Sequence, residues 1–182
     1  VGREERQKYA PPEFKPEPGW EVLPDLAVIG GSRPFVTGED SARVLRLCYF
    51  RRKGDGALVG KVWFGPGAEG PPHHAHGGAI AGVFDDVMGG AAWLAGHPIL
   101  AARVTVEFRK PVPLGVEAIY EAWVETVDGR RVKARGRMVS PDGRVYAEGD
   151  GIFVLIEPDR LGEMKERVLE IIQRAGIPFQ NK

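Results

Sequence analysis

Between residues 78 and 95 apolar side chains recur at three- and four-residue steps, at Ile80, Val83, Phe84, Val87, Met88, Ala91 and Leu94, whereas the sequence on both sides alternates every two residues. One helical period inside β-patterned sequence leaves few architectures, because the helix must bury its stripe against a sheet built from the rest. SARVLRLCYF and ALVGKVWF flank RRKGDG, which signals a hairpin. After Pro98, Val104, Val106 and Phe108 alternate with Arg103, Thr105, Glu107 and Arg109. The expected order is β-β-helix-β-β-β-β, an α+β chain whose antiparallel sheet curls around one helix.

The last three strands can be registered from their turns. A three-residue loop Asp128-Gly129-Arg130 sets Glu125 opposite Lys133, Trp123 opposite Arg135 and Glu121 opposite Arg137. A two-residue loop mixes the faces, so the longer loop is preferred. Closing the next hairpin at Asp142-Gly143 brings Arg137 beside Glu148 and Arg135 beside Asp150. The basic run Arg131, Lys133, Arg135, Arg137 then reads as a solvated ion-pair ladder rather than a phosphate track. The other face carries Ala122, Ala134, Gly136, Ala147, Gly149 and Gly151, small enough for the helix to approach closely.

Three segments are expected: an N-terminal arm over 1–40, rich in proline, one domain over 41–157, and an amphipathic helix and tail over 158–182, helical from 159 to 175. A length of 182 residues suits a single core. Lys plus Arg and Asp plus Glu both total 25, so no overall field draws the chain to nucleic acid or an anionic membrane. A lone cysteine, Cys48, and an N-terminal VGREERQKYA without an apolar core point to the cytoplasm, and no apolar run is long enough to span a membrane.

Residues 70–90, GPPHHAHGGAIAGVFDDVMGG, hold three of the four histidines and two adjacent aspartates. Helix arithmetic puts Asp85 and Asp86 off the apolar face, with Gly82 and Gly89 on the same polar side as close-approach positions. Each interior glycine costs the helix about 1 kcal/mol against alanine. His76-Gly77-Gly78 stands where loop becomes helix, so amide N–H groups there can bind a carbonyl oxygen that gathers charge. A carboxylate further along can activate water or attack directly.

HGGAIAGVFDD, preceded by GPPHHA and followed by VTVEFRKPVPLG, resembles the hotdog-fold acyl-CoA thioesterases of the PaaI-like and THEM4-like group. The matching positions are His76, Gly77, Gly78 and Asp85, then Phe108, Pro111, Pro113, Leu114 and Gly115, and the likeness spans about residues 42–156. The resemblance implies a hotdog fold, a sheet wrapped around a central helix, in a homodimer or homotetramer with sites at the subunit interface. It implies an acyl-CoA substrate, with Asp85 as general base or nucleophile and the Gly77 amide, with His76 nearby, polarising the thioester carbonyl. No metal or organic cofactor is implied. Asp86 is off the matching position and is expected to be a cap, an interface contact or a solvated charge. Two departures stand out: Gly70 where some relatives have Asn, and Ala101 where a Thr or Ser is common. They leave room for His73 or His74 to substitute. Arg109 and Lys110, at the end of the strand after the helix, are candidate contacts for the CoA phosphates, with Arg103 as another.

Rival readings differ in class. His74 and His76 with Asp85 or Asp86 supply metal-ligand types, but no HxHxDH run accompanies them. Ser32, Ser41 and Ser140 lie far from the histidines in sequence and no GxSxG occurs, which disfavours a serine hydrolase. A hotdog hydratase is disfavoured because those resemblances place the aspartate before the histidine. A non-catalytic acyl-CoA-binding module stays open because of Ala101.

Overall fold

In the computed structural model the described residues are 9–23, 35–36, 43–156 and the single positions 162, 166, 170 and 173. The C-terminal helix expected over 159–175 falls outside them, isolated positions apart, as does most of the arm beyond residue 23. The alternating runs form β2 (Leu45–Arg52), β3 (Leu58–Phe64), β4 (Ile99–Phe108), β5 (Glu117–Asp128), β6 (Arg131–Val139) and β7 (Val145–Leu155). The helical period forms α1 (Gly77–Leu94), between β3 and β4. One further strand, β1 (Trp20–Val22), has too few residues to show alternation. It pairs with β2, and its Trp20 ring packs on Phe50 with centroids 5.6 Å apart. Every pairing is antiparallel, in the order β1-β2-β3-β5-β6-β7-β4.

The register of β6 on β7 agrees with expectation, Arg137 opposite Glu148 and Arg135 opposite Asp150. Between β5 and β6, Glu121–Arg137 and Trp123–Arg135 also pair as expected, but Asp128 sits opposite Arg131. The loop is therefore the two-residue Gly129-Arg130, with Gly129 at φ 55°, and a bulge at Glu125 absorbs the extra residue. The bulge keeps the faces apart, the task for which a longer loop was expected. Glu125 consequently reaches both neighbours, 2.8 Å from Arg135 and 3.7 Å from Lys133, while Arg137 lies 2.6 Å from Glu121. Exposed pairs of this kind contribute under about 1 kcal/mol each.

The small-residue face receives α1. Ile80, Val83, Phe84, Val87, Met88, Ala91 and Leu94 are all buried. The Phe84 ring lies over the glycines of β6 and β7: a Cβ on Gly149 would stand 2.6 Å from Phe84 Cδ1, and one on Gly136 3.1 Å away. An alanine at 149 would lift the helix off the sheet. Burying each large apolar side chain here stabilises the fold by roughly 1.5–3 kcal/mol. Gly89 departs from expectation: it is buried beside Ile99 and Phe153, because the curled sheet covers more of the helix than one stripe.

β3 is buried along its whole length, with Leu58 and Val62 in the core shared with α1 and Val59 on the other face with Phe50. On that far side Lys61 is held 2.6 Å from Glu17 of the N-terminal segment and 3.1 Å from Glu117 of β5. Two carboxylates around one nearly buried ammonium pin residues 9–23 to the sheet.

Candidate active site

The two halves of the motif, far apart in sequence, are joined in space. Ala75 N–H donates to Val112 C=O at 2.8 Å, Leu114 N–H to His73 C=O at 3.0 Å, and His74 bridges to Pro113. His73 takes a left-handed conformation, φ 64°, with its N–H on Glu69 Oε1 at 2.7 Å. A Cβ on Gly70 would stand 2.7 Å from His76 Cα, so an asparagine there would displace His76. The Gly70 departure is thus part of how this loop sets the histidine.

His76 is the N-cap of α1, and its Nδ1 accepts the Gly78 N–H at 2.9 Å. The neutral ring assigned this way carries its hydrogen on Nε2. Ala79 and Ile80 N–H are bonded to His76 C=O. Gly77 N–H is the first-turn donor left without an acceptor among the described residues, at the positive end of the helix. Beside it lies the Phe108 ring, 3.4 Å from where a Gly77 Cβ would be.

Two turns along α1, Asp85 lines an open cavity of about 550 Å³ with Gly82, Ala101, Arg103, Val104 and Phe108. Partial burial holds its carboxyl above the usual carboxylate range, which makes it a better proton acceptor. Ala101 precedes an irregularity in the β4–β7 register and brings a methyl group, not a hydroxyl, to this cavity.

Asp86 is neither cap nor solvated charge. It is half-buried and accepts the Tyr49 hydroxyl from β2. Burial, opposed by that hydrogen bond and assisted by the Asp85 charge, pushes its pKa up to about 6. Burial and the neighbouring Asp86 charge raise the pKa of Tyr49, which therefore stays a donor. Between an ordinary value of 3.8 and about 6 the folded chain binds this proton more tightly than the unfolded chain. Stability therefore rises as pH falls through that window, and it is lost above the window. Asp86→Asn keeps an acceptor for Tyr49 and removes the charge. Its melting temperature at about pH 8 should exceed that of the unsubstituted chain, and the difference should shrink toward about pH 5. Parallel melting profiles across that range would contradict the assignment.

The cavity brings together Asp85, Arg103 and Phe108, but His73, His74, His76, Arg109 and Lys110 do not line it. His74 Nδ1 is 2.8 Å from Pro72 C=O. Arg109 is paired with Glu107 and, at 3.0 Å, with Glu148, where it lines a separate charged cavity of about 600 Å³ that includes Trp123 and Arg135. Lys110 is exposed. Among the described residues no three of His, Cys, Asp or Glu converge to hold a metal ion, and no helix is long and apolar enough to cross a membrane.

Residues 73–147 match the thioesterase superfamily, and the segment contains the His76 cap, Asp85 and the turn that ties to them. Over these residues the chain is similar to the thioesterase superfamily, and its fold is the hotdog fold. The hotdog domain is 34% identical over 113 residues to acyl-coenzyme A thioesterase THEM4 of Xenopus laevis, covering 61% of this chain and 50% of that protein. It is 30% identical over 94 residues to acyl-coenzyme A thioesterase THEM5 of Mus musculus, covering 51% and 38%. The chain thus spans about half the length, or less, of these relatives. Among solved structures, a thioesterase superfamily protein at 29% identity aligns with a TM-score of 0.57 over 60% of this chain and 53% of its own. The BH2602 protein of Bacillus halodurans, solved with CoA, is 21% identical with a TM-score of 0.57 over 72% and 91%. The expected sheet wrapped around one helix is the fold these neighbours share.

Proposed function

We propose that the chain hydrolyses an acyl-CoA thioester to a carboxylate and free CoA, as a member of the PaaI-like and THEM4-like group. The observation that carries this is Asp85, a carboxylate of raised pKa in a mainly apolar cavity, on the helix whose first N–H, at Gly77, has no acceptor among the described residues. The relatives named acyl-coenzyme A thioesterases and the neighbour solved with CoA support the choice of substrate.

As general base, Asp85 takes a proton from water while the water oxygen attacks the thioester carbon. The carbonyl oxygen, now negative, is stabilised by Gly77 N–H. Collapse breaks the C–S bond, and the thiolate recovers the proton. As nucleophile, Asp85 instead forms an anhydride that water opens, with the same donor on the oxyanion.

Asp85 lies eight positions after Gly77, about 12 Å along the helix axis. One carbonyl and its attacking oxygen need both groups within roughly 3–3.5 Å, so a single helix cannot supply both to one thioester. Two copies can. We infer a homodimer in which Asp85 of one protomer works with Gly77 of its partner, and tetramers as pairs of such dimers. β4 supports this, because it is the sheet edge, walls the Asp85 cavity and leaves Leu100 62% and Phe108 55% exposed.

Arg103, which lines the cavity, is better suited to the CoA phosphates than Arg109, whose guanidinium is shared by two glutamates. Lys110, His73 and His74 are further candidates along the joined loops. The boundaries at 40/41 and 157/158 and a cytoplasmic setting belong to the same proposal. Thiol release from a panel of acyl-CoAs tests it. Ala101, which gives the cavity no hydroxyl, favours a second reading as a binding module. That reading predicts CoA-ester affinity without thiol release.

A further inference from the structure

The N-terminal segment returns to the helix at residues 35–36. Val36 is 5% exposed and part of the main core, so this point of the chain is anchored. Its neighbour Phe35 is 80% exposed. The Phe35 ring lies against α1 where the helix has no side chain: a Cβ on Gly82 would stand 3.3 Å from Phe35 Cε1. Gly82 is three residues before Asp85, on the same helix face, and lines the same cavity. An anchored phenyl ring left bare beside an apolar cavity presents surface that an alkyl chain can cover. Phe108 stands at the other end of this surface, next to Gly77.

We propose that Phe35 is a specificity-determining residue, an apolar wall on which the acyl chain of the thioester lies as it runs from the carbonyl site past Gly82. This rests on the acyl-CoA reading above. It gives the glycine, otherwise unfavourable in a helix interior, a purpose, since a methyl group at 82 would push the ring away. Covering about 60 Å² of ring with alkyl chain corresponds to roughly a tenfold gain in affinity, which a short acyl group cannot collect.

The test uses the full chain and two non-hydrolysable thioethers, S-methyl-CoA and S-octyl-CoA, with binding measured by calorimetry alongside thiol release from acetyl-CoA and octanoyl-CoA. For Phe35→Ala the octyl-to-methyl affinity ratio should fall about tenfold, with kcat/KM for the two thioesters following it, and Phe35→Leu should restore part of the loss. An equal loss for both thioethers, or no loss, overturns the proposal, the first by making Phe35 a mere support for its segment. Loss accompanied by dissociation of the oligomer also overturns it, because a second copy would then be what covers the ring. If the chain binds the thioethers with the expected ratio but releases no thiol, the inference stands and hydrolysis fails. If it binds neither, both fail.

Discussion

Asp85→Asn is expected to lower kcat for acyl-CoA hydrolysis by about 10²–10⁴-fold, the contribution of a positioned base. The substitution keeps shape and size but leaves a side chain that can neither take a proton from water at neutral pH nor form an anhydride. Because Asp85 lines the cavity from a well-packed helix and is only partly buried, the change should leave the melting temperature and the affinity for a CoA thioether nearly unaltered. The pH profile adds a second readout. Burial raises the Asp85 pKa, so the acid limb of kcat/KM should lie above the ordinary carboxylate range. That limb should vanish in the variant. Thiol release by stopped assay across pH measures both, and turnover by Asp85→Asn at the unsubstituted rate would remove Asp85 from the mechanism.

Gly77→Pro should be nearly as damaging, for a different reason. Residue 77 is the first helical position, where proline is tolerated because the N–H has no partner within the helix. The preceding residue, His76, already has the extended conformation, φ −64° and ψ 138°, that a following proline requires. The substitution therefore deletes one donor with little harm to the fold. Loss of an oxyanion donor costs about 10²–10³ in kcat. Gly77→Ala is the control: it retains the N–H and adds only a methyl 3.4 Å from the Phe108 ring, so most activity should remain. Equal activity in the proline and alanine variants would show that the amide does no work.

Much of this architecture is legible in the sequence because it follows from period and size. The steps from Ile80 to Leu94 define α1, and the alternation of small residues on β6 and β7 shows where it lies. The bulge at Glu125 is hidden because a shift of one residue near a strand end is compensated by a shorter loop, leaving the same side chains on the same faces. β1 is hidden because three residues are too few to show a period. Helix arithmetic misplaces Gly89 because it assumes one buried stripe, whereas a curled sheet buries more of the circumference.

The site divides in the same way. His76, Gly77 and Asp85 sit at local spacings that a helix terminus explains. The Asp86–Tyr49 contact joins residues 37 apart, and Phe35 reaches Gly82 from the arm. Neither contact has a local signal. Arg109 looked suited to phosphate from its place at a strand end, but alternation alone does not show that Glu148 on β7 would claim it.

The central claim, that each thioester site takes Asp85 from one protomer and Gly77 from its partner, is tested most directly by mixing two inactive variants. Asp85→Asn and Gly77→Pro are unfolded together, refolded as mixed dimers and assayed for thiol release. A mixed dimer contains one site with both groups intact and one with neither. With random pairing half the dimers are mixed, so the account predicts recovery of about one quarter of the unsubstituted rate. If the mixture, shown to contain mixed dimers, is no more active than either variant alone, the two groups do not meet across subunits and the account is wrong.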